Sequence, residues 1–213
     1  MSVYIPSHFA SDDVAIAREL IDAHAFATLV TPGDAEALVT HLPLLREARA
    51  SGDVLVGHFA RANPHARAAA VCQSLAIFHG PHAYVSPSWY AEPAKAVPTW
   101  NYAIVHAHGT LRLDDDPAAA ERIVTALTAR FEGSRDEPWT FAMAEPQRGA
   151  MLRAIVAFEM PVARLDVKLK LSQNRPAGDR RRVIAALAAE PIADAHATAD
   201  LMRRRAAPPD TRT

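Results

Sequence analysis

Cysteine is nearly absent from this sequence: its 213 residues include one, Cys72, which cannot form a disulfide within the chain. A single cysteine agrees with a reducing cytoplasm. No apolar run approaches the roughly 20 residues that span a bilayer, and the first residues lack the basic and apolar segments of a secretory signal. With half of its residues apolar and 22% charged, the chain is predicted to be a cytoplasmic globular protein with no membrane contact.

Three common catalytic signatures are also missing. The sequence has no G-x-S-x-G elbow, no G-x-x-x-x-G-K-[ST] loop and no G-x-G-x-x-G fingerprint, which argues against the hydrolase, P-loop and Rossmann classes. His106 and His108 would share one face of a strand, but no further ligand completes a metal set, so we favour satisfied or interface histidines and expect no metal. Cys72 is interpreted as a small buried hydrophobe rather than a nucleophile.

Charge is balanced overall but unevenly distributed. The net charge is −1, so the molecule as a whole offers no basic surface for nucleic acid or a membrane. Residues 148–182 nevertheless hold nine Lys or Arg against three acids. This excess indicates an anionic partner, either a phosphate group or a nucleic acid. A solvated helix face remains the alternative for the cluster Arg180-Arg181-Arg182.

The apolar spacing alternates along the chain between helix-like and strand-like periods. Six or seven strands joined by hairpin-length links, with helices around them, predict an α+β protein built on a small antiparallel β-barrel. Strands are expected at 25–31, 37–42, 53–59, 73–79, 97–113 and 153–171, and helices at 11–24, 63–67, 117–131, 145–152, 179–190 and 194–205. Residues 207–213 have the composition of a flexible tail.

The segment from Val97 to Leu113 carries apolar residues on both alternating faces. An antiparallel strand normally exposes one face to water, so the outer face of this strand is predicted to be covered by a helix, a ligand or another subunit. We therefore expect a twofold homodimer with this strand near an interface of about 2,000 Å² or more.

A strand that ends at Arg61, directly before a short helix that begins near Pro64, is a candidate phosphate site. A guanidinium fork and free backbone N–H groups at one place are suited to a monophosphate. The alternative is that Arg61 is an ordinary surface residue.

Seven sequence blocks, in order, resemble the motifs of the PaiB-like, FMN-binding negative transcriptional regulators of bacteria. The resemblance covers nearly the whole chain. The blocks are 4–9 (YIPSHF), 24–31 (HAFATLVT), 40–43 (THLP), 57–64 (GHFARANP), 78–90 (FHGPHAYVSPSWY), 97–102 (VPTWNY) and 170–175 (KLSQNR).

The resemblance implies an antiparallel, flavin-binding split β-barrel, related in fold to pyridoxamine phosphate oxidases and flavin reductases. It also implies a homodimer that binds FMN at the subunit interface. The regulators of this family are named for negative effects on transcription of protease and sporulation genes. The split-barrel domain is expected at 1–175, followed by a C-terminal helical extension at 176–206 that packs on the barrel.

The resemblance and the positions of polar side chains together suggest three groups of cofactor-binding residues. The first would hold the phosphate from two adjacent strands, the second would contact the isoalloxazine ring, and the third follows a strand where polar side chains have no role in the core. For Trp100, a core aromatic is the alternative. The predicted residues are Thr40, His41, His58, Arg61 and Asn63; Trp100, Asn101 and Tyr102; and Lys170, Ser172, Gln173 and Asn174.

Three functions are compatible with this reasoning. The first is an FMN-binding regulatory protein of the PaiB type, and the second is a flavin-dependent oxidoreductase that acts on a small molecule. The third is a protein of this fold that has lost the cofactor. Direct DNA binding is possible, but the helices predicted at 179–190 and 194–205 are rich in alanine and have few side chains that could contact bases. Twenty arginines against three lysines agree with a GC-rich bacterial source.

Overall fold

A computed structural model describes residues 3–206, and the predicted tail at 207–213 lies outside the described residues. The described chain contains six α-helices and ten strands in two sheets. The helices are α1 (Val14–Ala23), α2 (His65–Ala69), α3 (Pro117–Glu132), α4 (Gln147–Arg153), α5 (Ala177–Ala189) and α6 (Ala193–Ala206). The strands are β1 (Ala10–Ser11), β2 (Phe26–Thr31), β3 (Leu38–Pro43), β4 (Leu45–Arg49), β5 (Gly52–Ala60), β6 (Ser74–Val85), β7 (Thr99–Gly109), β8 (Arg112–Asp114), β9 (Ile155–Pro161) and β10 (Arg164–Lys170).

The chain divides into two compact units. Among the described residues, unit 1 contains 3–13, 79–105 and 166–206, and unit 2 contains 14–78 and 106–165. Strands β6, β7 and β10 contribute residues to both units.

Unit 2 contains a hairpin and a four-stranded sheet. Strands β2 and β3 pair antiparallel, with Thr28 opposite His41, which confirms the predicted hairpin, and β2 also pairs with β6. The second sheet has the order β4-β5-β9-β8. Apolar residues of β5 and β9 pack against α3 around the buried Val56, Ile123 and Ala157. Burial of this kind supplies most of the stability of such a core.

Unit 1 contains β1 paired with β10, the first half of β7 and the second half of β6. Helices α5 and α6 pack against each other in this unit. Their buried residues include Val183, Leu187, Ala199 and Leu201. The predicted helices at 179–190 and 194–205 are therefore confirmed.

Three predicted strands are wrong in extent. The strand predicted at 73–79 extends to Val85 as β6. The segment 153–171 forms two strands, β9 and β10, rather than one. Pro161 has no N–H to donate and ends β9, after which the N–H groups of Val162 and Ala163 bond Asp53 O and His108 O. Likewise, the strand predicted at 97–113 ends at Gly109, where a Cβ would lie 2.4 Å from Pro161 O. The chain then turns into β8, which pairs with β9.

Strand β7 has one buried and one partly exposed face. Asn101, Ala103 and Val105 are buried, whereas Trp100 is 52% exposed and Ile104 is half-buried. The outer face of β7 is therefore not fully covered within one chain, and its coverage by a ligand or another subunit stays a prediction. The outer face of β7 is an apolar surface that a second molecule could cover.

Candidate functional site

Polar side chains converge on a cavity of about 210 Å³ in unit 1. We call it the polar pocket. It lies where β10 ends, beside the start of β7. The lining residues are Tyr90, Val97, Thr99, Asn101, Lys170, Ser172, Asn174 and Arg175.

Lys170 is the last residue of β10, and its ammonium group is tied to the first residues of β7. The Nζ atom donates to Trp100 O at 2.6 Å and to the hydroxyl of Thr99. Partial burial, followed by the nearby charges of Lys168 and Arg175, lowers the pKa of Lys170 below its usual value. The nearby charges of Lys168 and Arg175, rather than the burial, favour an anionic ligand at this site.

The turn that follows β10 is held in an unusual conformation. Ser172 has a φ of 63°, in the left-handed region that residues other than glycine seldom adopt. Gln173 stabilises the turn, because its Oε1 accepts from Leu171 N at 2.7 Å and its Nε2 donates to Leu169 O. Gln173 therefore stabilises the backbone and does not line the pocket.

Buried polar groups also line the polar pocket. Asn101 and Ser172 are 1% and 4% exposed, and Asn101 Nδ2 donates to Ser172 Oγ at 3.0 Å. Tyr90 is 5% exposed, and its hydroxyl has no hydrogen-bond partner among the described residues. Since a buried hydroxyl without a partner is costly, Tyr90 is a candidate contact for a bound ligand. The guanidinium carbon of Arg175 lies 4.6 Å from the centre of the Tyr90 ring.

A second group of polar residues lies in unit 2 around the buried His65. Thr40 Oγ1 lies 2.7 Å from His65 Nδ1, and Thr31 Oγ1 lies 2.8 Å from His65 Nε2. Asn63 joins this network, because its Nδ2 donates to Thr40 Oγ1 at 3.1 Å and its Oδ1 accepts from His65 N at 3.0 Å. Burial lowers the pKa of His65. The network connects β2, β3 and α2, whereas the neighbouring His41 is exposed.

Arg61 makes contacts within unit 2 that occupy its guanidinium group. It donates to Asp115 Oδ1 at 2.5 Å and to the backbone oxygens of Arg153 and Ile155 at 2.8 and 2.7 Å. The helix that follows, α2, has five residues, and Asn63 already accepts from its first N–H group. His58, on β5, has a buried Nδ1 without a partner among the described residues, and burial lowers its pKa.

The outer face of β7 lines an open groove of about 280 Å³ in unit 1, which we call the aromatic groove. Trp100, Tyr102 and Ile104 contribute from β7, and His79 and His82 from β6. Its mostly apolar surface is suited to a flat aromatic ligand.

The structure therefore brings some of the sequence-predicted residues together. Asn101, Lys170, Ser172 and Asn174 line one pocket, Trp100 and Tyr102 line the groove, and Thr40 joins Asn63 in the His65 network. Thr99, Tyr90 and Arg175 line the polar pocket and were missed, although each lies within a motif block that was singled out from the sequence.

Two further properties concern residues 3–206 alone. Within them, no three His, Cys, Asp or Glu side chains are grouped as metal ligands would be. Every helix in this part of the chain falls short of the length and apolarity that a membrane span requires.

Comparison with known proteins gives a family and a fold. A family model described as "Putative FMN-binding domain" matches residues 3–164. The protease synthase and sporulation protein PAI 2 of Bacillus subtilis is 34% identical over 202 residues, covering 94% of this chain and 96% of that protein. An uncharacterized protein of Emericella nidulans is 30% identical over 224 residues, covering 85% of this chain and 89% of that protein.

Solved structures with the same fold have low sequence identity. The flavocytochrome Anf3 of Azotobacter vinelandii superposes with a TM-score of 0.61 at 16% identity, covering 78% of this chain and 72% of its own. An FAD and heme binding protein of Mycobacterium smegmatis gives a TM-score of 0.60 at 20% identity, covering 83% and 79% of the two chains. The predicted α+β split-barrel fold is confirmed, with the strands divided between two sheets.

Proposed function

Since this chain belongs to the FMN-binding family whose model spans residues 3–164, we propose that it is an FMN-binding regulatory protein similar to its Bacillus subtilis relative. The predicted cofactor, FMN, is the ligand of that family. In the proposed arrangement two copies of the chain form a homodimer and bind FMN at their interface. The name of the relative refers to protease synthesis and sporulation, which is the ground for a regulatory role.

The observation that carries the proposal is the charge of the polar pocket. Neither Lys170 nor Arg175 has a carboxylate partner among residues 3–206. Two unpaired cations beside the hydroxyl groups of Tyr90 and Ser172 fit the phosphate group of FMN. Charge-assisted hydrogen bonds of this kind contribute about 1.5–3 kcal/mol each. A phosphate would also offset the repulsion that helps to lower the pKa of Lys170.

Arg61 is the alternative phosphate anchor. Because its guanidinium already bonds Asp115 and two backbone oxygens, a phosphate there would have to replace the Asp115 carboxylate. Four residues of the polar pocket, Lys170, Ser172, Asn174 and Arg175, lie beyond the family model, which ends at residue 164. Substitution of Arg61 and of Lys170, with FMN affinity measured for each variant, therefore distinguishes the two anchors.

The aromatic groove supports both the position of the ring and the dimer. Trp100 and Tyr102 offer aromatic surfaces against which an isoalloxazine ring could stack. Trp100 is 52% exposed in one chain, and contact with a second copy would remove this surface from water. A ring bound between two copies would contribute to the interface of both.

A flavin-dependent oxidoreductase is the second candidate function. Bound FMN supplies an acceptor for a hydride or for electrons. The observation that favours this function is the open form of the aromatic groove, whose volume of about 280 Å³ could admit a small substrate beside the ring. Oxidation of reduced nicotinamide by the FMN-loaded protein would support this function over regulation alone.

Direct DNA binding has less support in the C-terminal helices. Arg182 pairs with Asp179, Arg203 with Asp200, and Arg205 with Asp13, so three arginines of these helices already have acidic partners within unit 1. If the cluster at 180–182 binds DNA, its replacement by alanine lowers the affinity and flattens the salt dependence. Unchanged binding would assign the cluster to the solvated surface.

The test of the proposed function is an absorption spectrum of the purified chain, combined with light scattering before and after FMN is added. We expect the spectrum of oxidised flavin, either directly after purification or after addition of FMN and removal of the excess. We also expect the mass of a dimer at micromolar concentration. A monomer that binds no FMN would refute both parts of the proposal.

A further inference from the structure

A further cavity in unit 1 has a different chemical character from the polar pocket. Its volume is about 280 Å³, and it shares no lining residue with the polar pocket. Three aromatic side chains and two carboxylates are among the residues that line it. We call it the acidic aromatic pocket; the residues on which the argument depends are His82, Tyr84, Trp89, Trp100, Glu190 and Asp194.

The aromatic walls have the geometry of a partial cage. The Tyr84 and Trp100 rings are 6.2 Å apart and meet edge to face at 73°, and the His82 ring lies 6.2 Å from Trp100. Tyr84 is 46% exposed and Trp100 is 52% exposed, so their surfaces are open to a ligand. The face of an aromatic ring is electron-rich and attracts a cation, tryptophan most strongly.

The two carboxylates lie where α5 ends and α6 begins. Glu190 follows the last residue of α5, and Asp194 lies in the first turn of α6. Asp194 Oδ2 lies 3.8 Å from His82 Nε2, and this imidazole is the one lining side chain that could carry a positive charge. Glu190 has no ion-pair partner among residues 3–206. Asp194 also stabilises the start of its helix, but this role does not require an aromatic wall.

We propose that the acidic aromatic pocket binds the alkylated ammonium group of a small molecule. Aromatic faces together with carboxylates that have no lysine or arginine partner among residues 3–206 favour a weakly hydrated cation, and the same carboxylates repel a phosphate, which distinguishes this pocket from the polar pocket. Lys170 bonds the backbone oxygen of Trp100 but does not line the cavity. The pocket shares His82 and Trp100 with the aromatic groove, so its binding is measured both with and without FMN.

Calorimetric titration of the full chain with choline, with and without FMN, is the first test. The matched neutral probe is 3,3-dimethylbutan-1-ol, which has the shape of choline without its charge. We expect choline to bind at least about tenfold more tightly than the alcohol. Equal binding of the two probes, or no saturable binding of choline up to about 10 mM, would overturn the proposal. This comparison uses the unaltered chain and therefore does not depend on how a variant folds.

The second test replaces the carboxylates without changing their shape. The double variant Glu190→Gln with Asp194→Asn should weaken choline at least about tenfold and leave the neutral alcohol unchanged. Asp200→Asn is the matched control, because Asp200 is on α6 and pairs with Arg203 but does not line the pocket. If the double variant binds choline as tightly as the Asp200 control, the carboxylates do not recognise the cation.

A final arm separates a free ammonium compound from one carried by a protein. A short peptide that contains trimethyl-lysine is titrated beside choline under the same conditions. We expect the peptide to bind no more tightly than choline. Binding of the peptide about tenfold more tightly would assign the pocket to a modified protein and overturn the small-molecule assignment.

Discussion

Replacement of Lys170 by methionine tests the polar pocket with a small change of shape, since methionine is unbranched, one atom shorter than lysine and uncharged. In the structure two of the three N–H groups of Lys170 are bonded to Trp100 O and Thr99 Oγ1, which leaves one donor for a ligand. A charge-assisted hydrogen bond contributes about 1.5–3 kcal/mol, so the loss of this one should weaken FMN by roughly tenfold to 150-fold.

The assay is a flavin titration in which binding is measured by the quenching of fluorescence. FMN and riboflavin are compared on each variant. Riboflavin has the same ring but no phosphate, so the ratio of the two affinities isolates the phosphate contact. Lys168→Met is the matched control, because Lys168 is on the same strand and bonds Tyr4 O rather than lining the pocket. Its ratio should stay within about twofold of the unaltered chain.

The result that refutes the reasoning is an unchanged ratio in Lys170→Met. If the ratio instead collapses in Arg61→Met, the phosphate is bound at the end of β5, and Asp115 must release the Arg61 guanidinium on binding. Chemical denaturation of each variant checks that a lost affinity does not reflect a lost fold.

Three further predictions concern stability and assembly. Burial lowers the pKa of His58 and of His65 from 6.5, so the unfolded chain binds more protons than the folded chain as the pH falls below that value. The free energy of unfolding should therefore fall as pH decreases from about 7 to 5, by at most about 1.4 kcal/mol per histidine per pH unit. His65→Gln should make this pH profile, measured by urea denaturation, less steep. Gly57→Ala should destabilise unit 2 by about 1–3 kcal/mol, because the added Cβ would lie 2.8 Å from Leu44 Cδ2 and 3.0 Å from Phe158 Cζ; an unchanged denaturation midpoint would contradict this packing. Trp100→Glu should convert the proposed dimer to a monomer in light scattering, since it places a charge on the outer face of β7, whereas a variant that remains dimeric would locate the interface elsewhere.

Local pattern was sufficient to predict α3, α5, α6 and the β2–β3 hairpin, because each has a clear apolar period or a turn signal. Strand β4 was missed, because its sequence Leu45-Arg46-Glu47-Ala48-Arg49 is rich in charge. In the structure Arg46 pairs with Asp22 and Arg49 with Glu159, 24 and 110 positions away, so these charges are stabilised by residues distant in sequence. A single sequence does not reveal such partners.

The same limit applies to the candidate site. The residues from Lys170 to Asn174 stand out because polar side chains follow a strand, and the structure places three of them in one pocket. The contacts of Arg61 were not predictable, since Asp115 is 54 positions away and is one of three consecutive aspartates. Tyr90 shows its unpartnered hydroxyl only once the chain is folded.

The central claim is that this chain recognises FMN through its phosphate. Equilibrium titration of the flavin-free chain with FMN and with riboflavin tests it most directly. The account predicts that FMN binds at least about tenfold more tightly than riboflavin, and that inorganic phosphate competes with FMN but not with riboflavin. Equal affinity for the two flavins, with no effect of phosphate on either, would contradict it.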